Sequence, residues 1–262
     1  MAALPTLYLQ GFAFWSSRLP GWDVARAVIR GERAAPEAPA PRPAPTLLAP
    51  TERRRAPDTV AIALEVAARA CEAAKCEPRE LPSVFASTHG DLAISDYMCT
   101  TLASTPKLIS PIKFHNSVHN AAAGYWTIGT GCTSPYTAIS AHQYTFGTGL
   151  LETAAQALAE DRPVLYVAFD IEAKGPLATV APSRGLMGLA MVIGPQSTPG
   201  SRGLRLGMCT DAPTNPTSDA YALVQDNALA PCFAFVEALA RDEHTSLALA
   251  LGEHSALRVE LV

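Results

Sequence analysis

Several classes of protein are excluded by what this 262-residue sequence lacks. Its formal net charge is only −4 and its charged fraction is 17%, so it has no surplus of positive charge to hold nucleic acid or an anionic membrane. None of its apolar runs approaches the roughly 18 residues of a membrane span. Its N-terminus has neither the basic segment nor the small-residue cleavage site of a signal peptide. We therefore expect a cytoplasmic protein with no nucleic-acid partner and no membrane span.

Short catalytic motifs are also absent. The sequence contains no G-x-S-x-G turn, no Walker loop and no Rossmann G-x-G-x-x-G. His115 and His119 stand four residues apart, a spacing that on a helix can place two imidazoles on one metal ion, but neither a glutamate nor a third histidine accompanies them. Hydrogen-bonded histidines are the alternative, and we predict no metal site.

The six cysteines are spread through the chain. Cys71 and Cys76 lie five residues apart on what the pattern predicts to be one helix, and no second pair at zinc-ligand spacing accompanies them. Buried free thiols are therefore the expected state of the cysteines in a reducing compartment.

One segment differs sharply from the rest in composition. Residues 34–57 contain seven prolines and few large apolar side chains. Because proline removes backbone donors and favours extended conformations, this segment is predicted to be a surface excursion outside the core. It ends in a basic run, Arg53–Arg55, which is either a solvated loop or a contact for an acidic partner.

Strand-type apolar runs alternate with helical segments over the rest of the chain, which indicates an α/β layered domain. Strands are predicted at 7–15, 83–88, 136–140 (short and buried), 162–170, 184–195 and 201–209, with a C-terminal hairpin of 246–251 and 256–262. Helices are predicted at 22–30, 59–75, 91–104, 116–131, 141–161 and 228–242, and SPIKF (110–114) is predicted to be a loop.

An ordered series of motifs lies in residues 110–158, SPIKFHNSVHNAAAGYWTIGTGCTSPYTAISAHQYTFGTGLLETAAQAL. It has a Ser-Pro followed by an aromatic residue, an Asn-Ala helix, a turn, a short strand and a helix that opens with small residues. This layout resembles the N-terminal half of β-ketoacyl-ACP synthases, the condensing enzymes of fatty acid and polyketide synthesis. The preceding SVFASTHGD (83–91) resembles the family's strand and glycine turn, and the resemblance extends over about residues 7–195. The motifs S-x-H-G-[DE] and S-V-H-N-A are most similar to a short, chain-length-factor-like subgroup.

The resemblance implies a thiolase-like fold. Residues 1–195 would form the N-terminal ketosynthase-like domain, and 196–262 would be a short remnant, a helix and hairpin packed on the same domain. In the family, a nucleophilic cysteine stands at the N-terminus of a buried helix, where the helix dipole favours the thiolate. The matching residue here is Gln143, and an amide cannot hold an acyl thioester. His244 and His254 lack the sequence contexts of the family's two catalytic histidines, so no catalytic residue is predicted.

Glutamine at this position is what chain-length-factor subunits of type II polyketide synthases carry. The resemblance therefore implies a non-catalytic subunit in a heterodimer with an active, full-length ketosynthase. The complex would elongate an acyl chain with malonyl units, in a polyketide or aryl polyene pathway. The chain would arrive on the phosphopantetheine of an acyl carrier protein, and no cofactor is implied. Two alternatives remain open: an acyl-transfer or malonyl decarboxylase activity using Gln143 with His142 or His89, and a homodimeric acyl-binding scaffold.

The resemblance also assigns candidate contacts. The strand Tyr136, Thr137, Ala138, Ile139 and Ser140 would pair with its counterpart in the partner, extending one sheet across the dimer. Candidates for the acyl tunnel or the interface are His89, Tyr97, Met98, Ile112, Lys113, Phe114, His142, Gln143, Tyr144 and Phe146. For the apolar and aromatic candidates the alternative is core packing. For His89 it is a hydrogen bond within a turn, and for Gln143 a helix-start position with no further role.

Overall fold

The computed structural model of the protein describes residues 5–262. Eight strands lie in this part of the chain: β1 (Leu7–Ser16), β2 (Ser83–Ala86), β3 (Tyr136–Ile139), β4 (Val164–Asp170), β5 (Met187–Gly194), β6 (Arg202–Cys209), β7 (Thr245–Gly252) and β8 (Ser255–Leu261). The α-helices of the same residues are α1 (Trp22–Ile29), α2 (Pro50–Arg55), α3 (Asp58–Ala74), α4 (Leu92–Ser104), α5 (Pro111–His115), α6 (Ala121–Thr130), α7 (Thr145–Glu160) and α8 (Phe233–Arg241). The predicted alternation of strands and helices is confirmed.

All eight strands belong to one sheet in the order β3-β2-β4-β5-β1-β6-β8-β7. β3, β2 and β4 are parallel to one another, and every later pairing is antiparallel. β1 pairs with β5 along most of its length but with β6 only from Leu7 to Leu9. The sheet therefore has a five-stranded part and a three-stranded part, joined by a short pairing.

Helices cover both faces of the five-stranded part. α3 and α6 pack on one face, where Ile62, Phe85 and Trp126 are buried together. α7 packs on the other face and also contacts β7 and β8, so that it lies between the two parts of the sheet. β4 and β5 are buried along their whole lengths. Such continuously apolar strands are expected where a sheet is covered on both sides.

Small residues in the first turns of α7 allow this close packing. A Cβ atom on Gly149 would lie 2.6 Å from Cε2 of Tyr166, and one on Gly147 would lie 2.7 Å from the carbonyl oxygen of Ala250. The buried Tyr166 hydroxyl donates a hydrogen bond of 2.7 Å to the carbonyl of Phe146. The glycines therefore let one helix contact β4 and β7 at the same time.

Several predicted boundaries were wrong by a turn or more. SPIKF is not a loop: α5 spans Pro111–His115, and the Ser110 hydroxyl caps it by accepting a bond from the Lys113 N–H. α6 begins at Ala121 rather than 116, and α7 begins at Thr145 rather than 141. In each case polar residues that form tight turns precede the helix, and periodicity alone does not separate such turns from helix.

The strand at 136–140 also differs from its prediction. β3 is short, but it lies at the edge of the sheet and is not buried, with Tyr136 39% exposed. An apolar sequence shows that a strand can be buried, but not that it is. A strand at the edge of a sheet has a neighbouring strand on one side only and therefore stays partly exposed.

The proline-rich segment 34–57 is mostly exposed, as predicted, but it is not wholly outside the core. It contains α2, and Leu48 and Ala56 are buried against α3 and α6. The Arg53 guanidinium donates to the carbonyl of Leu48 at 2.9 Å. The segment is therefore anchored at its C-terminal end.

Candidate functional site

The carboxyl ends of three parallel strands meet at one edge of the five-stranded part. β2 is followed by Ser87–Gly90, β3 by Ser140–Tyr144, and β4 ends at Asp170. Loops at the carboxyl ends of parallel strands form the usual ligand sites of α/β sheets. The Ser140 hydroxyl donates to the carbonyl of Thr88 at 2.9 Å, so the first two loops are in contact.

Gln143 stands in a tight turn that links β3 to α7. His142 has a φ of 51°, the left-handed conformation that non-glycine residues adopt rarely. The Tyr144 N–H donates to the carbonyl of Ala141 at 3.0 Å, and the Thr145 hydroxyl accepts a bond of 2.9 Å from the Ala141 N–H. The backbone at position 143 is therefore held in a defined turn just before a 16-residue helix.

The chemistry of this position follows from its residue. The N-terminus of α7 would favour a thiolate here, because its free N–H groups and dipole stabilise negative charge. Gln143 is exposed instead, and its amide nitrogen donates to the Tyr144 hydroxyl at 2.8 Å. A carboxamide offers hydrogen bonds but no nucleophile for an acyl transfer.

Behind the turn lies a buried carboxylate that the sequence pattern did not single out. Asp170 accepts bonds from the Ser87 hydroxyl (2.9 Å), the Thr88 N–H (2.9 Å) and the Thr88 hydroxyl (2.7 Å). Burial raises the pKa of this carboxyl to about 6, although the bonds from Thr88 and Ser87 oppose the rise. Asp170 thereby ties β4 to the loop after β2. The signal available in the sequence was an acidic residue ending an apolar strand.

Two histidines flank the same loop. The Nε2 atom of His89 is buried without a hydrogen-bond partner among residues 5–262, and burial, followed by the charge of His142, lowers the pKa of His89. The Nε2 atom of His119 lies 2.9 Å from the carbonyl oxygen of Ser87. His115 ends α5, whereas His119 precedes α6, so these two do not share a helix. The described residues include no group of three or more His, Cys, Asp or Glu positioned to hold a metal ion.

The outer edge of β3 is open. The carbonyls of Pro135 and Ile139 accept bonds of 3.2 Å from the backbone N–H groups of Ser83, which begins β2, and Ser87, which follows it. Because backbone groups alternate along a strand, those of Tyr136 and Ala138 face away from β2. No strand of residues 5–262 pairs with that edge.

Exposed apolar side chains gather in the segment that leads to this edge. Phe114 is 62% exposed and Ile128 72%. The large apolar side chains exposed between α4 and β3, which we name the apolar surface, are Leu102, Leu108, Ile112, Phe114, Val118, Ile128 and Tyr136. α4 contacts α5, and α6 contacts β3. Large apolar side chains that are exposed on neighbouring elements are candidates for an interaction surface.

All but one of the predicted contact residues lie in one of two places in the fold. Lys113 lies over the Tyr97 ring, 4.0 Å from its centroid, and these two lie with Met98, Ile112 and Phe114 on α4 and α5. The other group, at the strand ends, consists of His89, His142, Gln143 and Tyr144.

Phe146 is the exception. It is buried in the core, its ring 5.8 Å from that of Tyr166 and 6.0 Å from that of Phe235. This position corresponds to the core-packing alternative rather than to a surface that a ligand can reach.

Gln143 has one neighbour that sequence spacing could not indicate, because it comes from a remote part of the chain. Gln143 and Tyr144 line a cavity of about 560 Å³ together with Asp211, Glu253 and His254. His254 belongs to the turn between β7 and β8, more than a hundred residues from Gln143. The remote hairpin therefore meets the start of α7.

Comparison with known proteins identifies the family. The profile of the family described as "Beta-ketoacyl synthase, N-terminal domain" matches residues 29–255. No curated protein matches the chain significantly. No described helix is long and apolar enough to cross a membrane.

Solved structures with the same fold cover nearly the whole chain. One is a chain of a ketosynthase (ApeO) in complex with its chain length factor (ApeC) from Xenorhabdus doucetiae, with a TM-score of 0.75 and 22% identity over 98% of this chain and 100% of that one. The ishigamide ketosynthase/chain length factor has a TM-score of 0.71 at 13% identity, covering 98% and 99% of the two chains. A type II polyketide complex of ketosynthase and acyl carrier protein (AntDE:AntF) has a TM-score of 0.72 at 10% identity, with the same coverage.

These likenesses establish the thiolase-like ketosynthase fold, and the family match covers most of the chain. The protein belongs to the β-ketoacyl synthase N-terminal domain family.

Proposed function

We propose that the protein is a non-catalytic, chain-length-factor-like subunit that pairs with an active, full-length β-ketoacyl synthase. The observation that carries this proposal is Gln143, held at the start of α7 where the family has its nucleophilic cysteine. The partner would supply the cysteine and the histidines, and the complex would elongate a carrier-bound acyl chain with malonyl units.

The open edge of β3 supports pairing with a second subunit. An apolar edge strand with unpaired backbone groups invites association, and proteins normally cover such an edge. The apolar surface adjoins it and is rich in the large side chains that form the centres of interfaces. Two of the structures with the same fold are described as pairs of a ketosynthase and a chain length factor.

A subunit without chemistry can still shape a product. A reactive polyketone or polyene chain needs a dry cavity of defined length, and a second subunit can supply one wall of it. We assign that role to side chains at the apolar surface, with Tyr97, Met98, Ile112 and Phe114 as candidates. The acyl chain would arrive on the phosphopantetheine of an acyl carrier protein, and an aryl polyene or related type II pathway is the proposed setting.

Co-expression with the full-length ketosynthase of the same organism tests the proposal. Native mass spectrometry is expected to give a 1:1 or 2:2 heteromer, and the ketosynthase is expected to elongate acyl-carrier substrates only when this chain is present. A stable homodimer that ignores the ketosynthase would refute the proposal and favour an acyl-binding scaffold.

One observation favours a second candidate. His254 lines the same cavity as Gln143, so an amide and an imidazole are both available to a ligand there. The isolated protein would then decarboxylate malonyl-carrier substrate, and Gln143→Ala would abolish that turnover. We expect no carbon dioxide release above background from either protein, and release that depends on Gln143 would replace the first proposal with this one.

A further inference from the structure

Two cysteines lie at the C-terminal end of α3, in the stretch of chain that precedes β2. Cys71 is buried in the last turn of the helix, and Cys76 is half-buried just beyond it. The prediction that both lie on one helix was wrong, because Lys75 adopts a left-handed conformation (φ 54°) that ends α3.

The helix ends in a Schellman motif. The N–H of Cys76 donates to the carbonyl of Cys71 at 3.2 Å, and the N–H of Lys75 donates to that of Glu72 at 3.1 Å. In this motif the side chains of the first and last bonded residues commonly touch. Here both side chains are thiols, so the chain reversal itself brings two sulfur atoms together.

The Cys76 side chain folds back on the end of α3. The Cys76 thiol donates to the Cys71 carbonyl at 3.7 Å. A hydrogen bond between the thiols lowers the pKa of Cys76 and raises that of Cys71 well above its usual range. Cys76 is therefore the sulfur favoured as a thiolate, and Cys71 is the protonated neighbour that stabilises it.

We propose that Cys71 and Cys76 form a redox-active dithiol that closes into a disulfide across the end of α3 when it meets a low-molecular-weight disulfide such as oxidised glutathione. The Cys76 thiolate attacks one glutathione sulfur, the glutathione S–S bond breaks, and one glutathione thiolate leaves. The Cys71 sulfur then gives up its proton to a glutathione thiolate and attacks Cys76 Sγ, which expels the second glutathione. The protein loses two electrons and two protons, and oxidised glutathione is reduced to two thiols.

Formation of the mixed disulfide on Cys76 makes the following attack by Cys71 easier. Once Cys76 carries glutathione, it is no longer the thiolate whose hydrogen bond keeps the proton on Cys71, and the largest cause that raises the pKa of Cys71 is removed, which leaves burial and the charge of Cys132. The last turn of α3 is also fixed in place, because Gly11 of β1 packs so closely on Ala70 and Ala74 that an added Cβ would overlap them. Cys71 therefore stays beside its partner during the exchange.

The other cysteines are placed differently. Cys99 is exposed on α4, and Cys232 is fully buried on the opposite face of the five-stranded part. Cys132 is the nearest competitor, since its charge contributes to the raised pKa of Cys71, but it is buried and its thiol donates to the carbonyl of Leu81 at 3.4 Å. Disulfide formation is thus expected at one pair only.

Trypsin offers a direct test, because it cleaves after Lys75, between the two cysteines. The full chain is incubated with oxidised glutathione, its free thiols are alkylated in denaturant, and it is digested without reduction. Peptides 70–75 and 76–79 are expected to appear joined by a disulfide, and the alkylated thiols to fall from six to four. A glutathione adduct on Cys76 beside an alkylated Cys71, or a link from Cys76 to Cys132, would overturn the proposal.

Two variants and one control sharpen the result. Cys71→Ala, a small apolar replacement in the buried position, is expected to stop at the mixed disulfide on Cys76. Its alkylation rate at Cys76 is expected to rise only at higher pH than in the wild type. Cys76→Ser should show neither product at this site, and Cys99→Ser should close the Cys71–Cys76 bond as the wild type does. A Cys71→Ala profile identical to the wild type would contradict the assigned roles.

Discussion

The two edges of the sheet differ in how they are finished. β3 is four residues long, half-exposed and apolar, and its outer backbone groups meet no strand of the described chain. β7 is eight residues long, and a loop closes its outer side: Thr214 donates its N–H to the carbonyl of Ala248 and accepts the Ala248 N–H on its hydroxyl, both at 2.9 Å. The loop covers the middle of one edge, and no such cover lies on the other edge among residues 5–262.

The surroundings of the two edges differ in the same sense. The apolar surface adjoins β3, whereas the strands near β7 carry ion pairs. Arg258 lies 2.7 Å from Asp211, and Arg202 lies 2.9 Å from Asp242. An exposed ion pair such as Arg258–Asp211 contributes little stability, but it keeps a surface compatible with water. The difference indicates that only the β3 edge is suited to a protein partner.

Breaking the open edge should have the largest effect. Ala138→Pro removes an outward N–H without removing a bond to β2, and proline is tolerated at such edge positions. We expect its affinity for the ketosynthase to fall at least ~100-fold, about 2.8 kcal/mol, as measured by titration of the purified subunits. The matched control is Ser246→Pro on β7, also an outward edge position, which should bind as the wild type. Equal losses in both variants would refute the distinction between the edges.

The apolar surface should be the next most sensitive region. Phe114→Ala removes an exposed ring and is expected to weaken the heterodimer by about tenfold, the scale of an interface anchor. The free energy of unfolding of the isolated chain should barely change, because Phe114 is 62% exposed. Met208→Ala, on β6 and 45% exposed, is the control. An unchanged dissociation constant for Phe114→Ala would remove this surface from the interface.

The helix between the two parts of the sheet should be sensitive in stability rather than in assembly. Gly149→Ala would place a Cβ 2.6 Å from the Tyr166 ring, and overpacking of this kind costs about 1–3 kcal/mol. Urea unfolding measures the loss. Gly124→Ala, where an added Cβ meets nothing within 4 Å, is the control and should not destabilise. A stable Gly149→Ala would mean that α7 can move away from β4.

The buried carboxylate of Asp170, at the end of β4, should give the stability a pH dependence. The pKa of Asp170 is about 6 in the folded protein against about 3.9 when unfolded, so the folded state holds the proton more tightly. This contribution is present below about pH 4 and is lost as pH rises through 6, a change of about 3 kcal/mol. Asp170→Asn should remove this contribution. The free energy of unfolding of the variant should therefore rise relative to that of the wild type between pH 4 and pH 6.

A second titrating group and a surface control variant help to interpret that measurement. The lowered pKa of His89 acts in the opposite sense, because its contribution to stability falls as pH drops below about 6.5. The slope that remains in Asp170→Asn should therefore be positive in this range. Asp211→Asn is a control on the surface, where Arg258 lowers the pKa of the carboxyl, so its stability relative to the wild type should improve as pH falls. A flat difference for Asp170→Asn would show that Asp170 does not titrate near pH 6.

The smallest effect is expected at the nucleophile position. Gln143→Cys places a thiol at the N-terminus of α7, which should be alkylated readily because the helix favours its thiolate. The isolated variant should nevertheless form no extended product from malonyl- and acyl-carrier substrates, since reaction requires further catalytic groups. Extension by this variant alone would contradict the proposal that a partner supplies the chemistry.

Local sequence patterns were sufficient to predict the elements whose burial matches their own composition. The Ala-rich run of α3, the apolar runs of β4 and β5 and the C-terminal hairpin follow from periodicity, because their burial matches their composition. The motif order between Ser110 and Gln143 likewise indicated the family, and it is the basis of the proposal that Gln143 stands at the position of the family's nucleophile.

Tertiary structure alone decided how those elements meet. The sequence of an apolar strand is the same whether the strand lies at the centre or at the edge of a sheet. β3 is exposed because no further strand of residues 5–262 pairs with it. The burial of Asp170 and the approach of His254 to Gln143 join segments far apart in the chain, which spacing cannot encode. The contact between Cys71 and Cys76 required the left-handed turn at Lys75. The sequence determines which residues tend to form helices, strands or buried core. The packing of remote segments decides which of them are actually buried, paired or in contact.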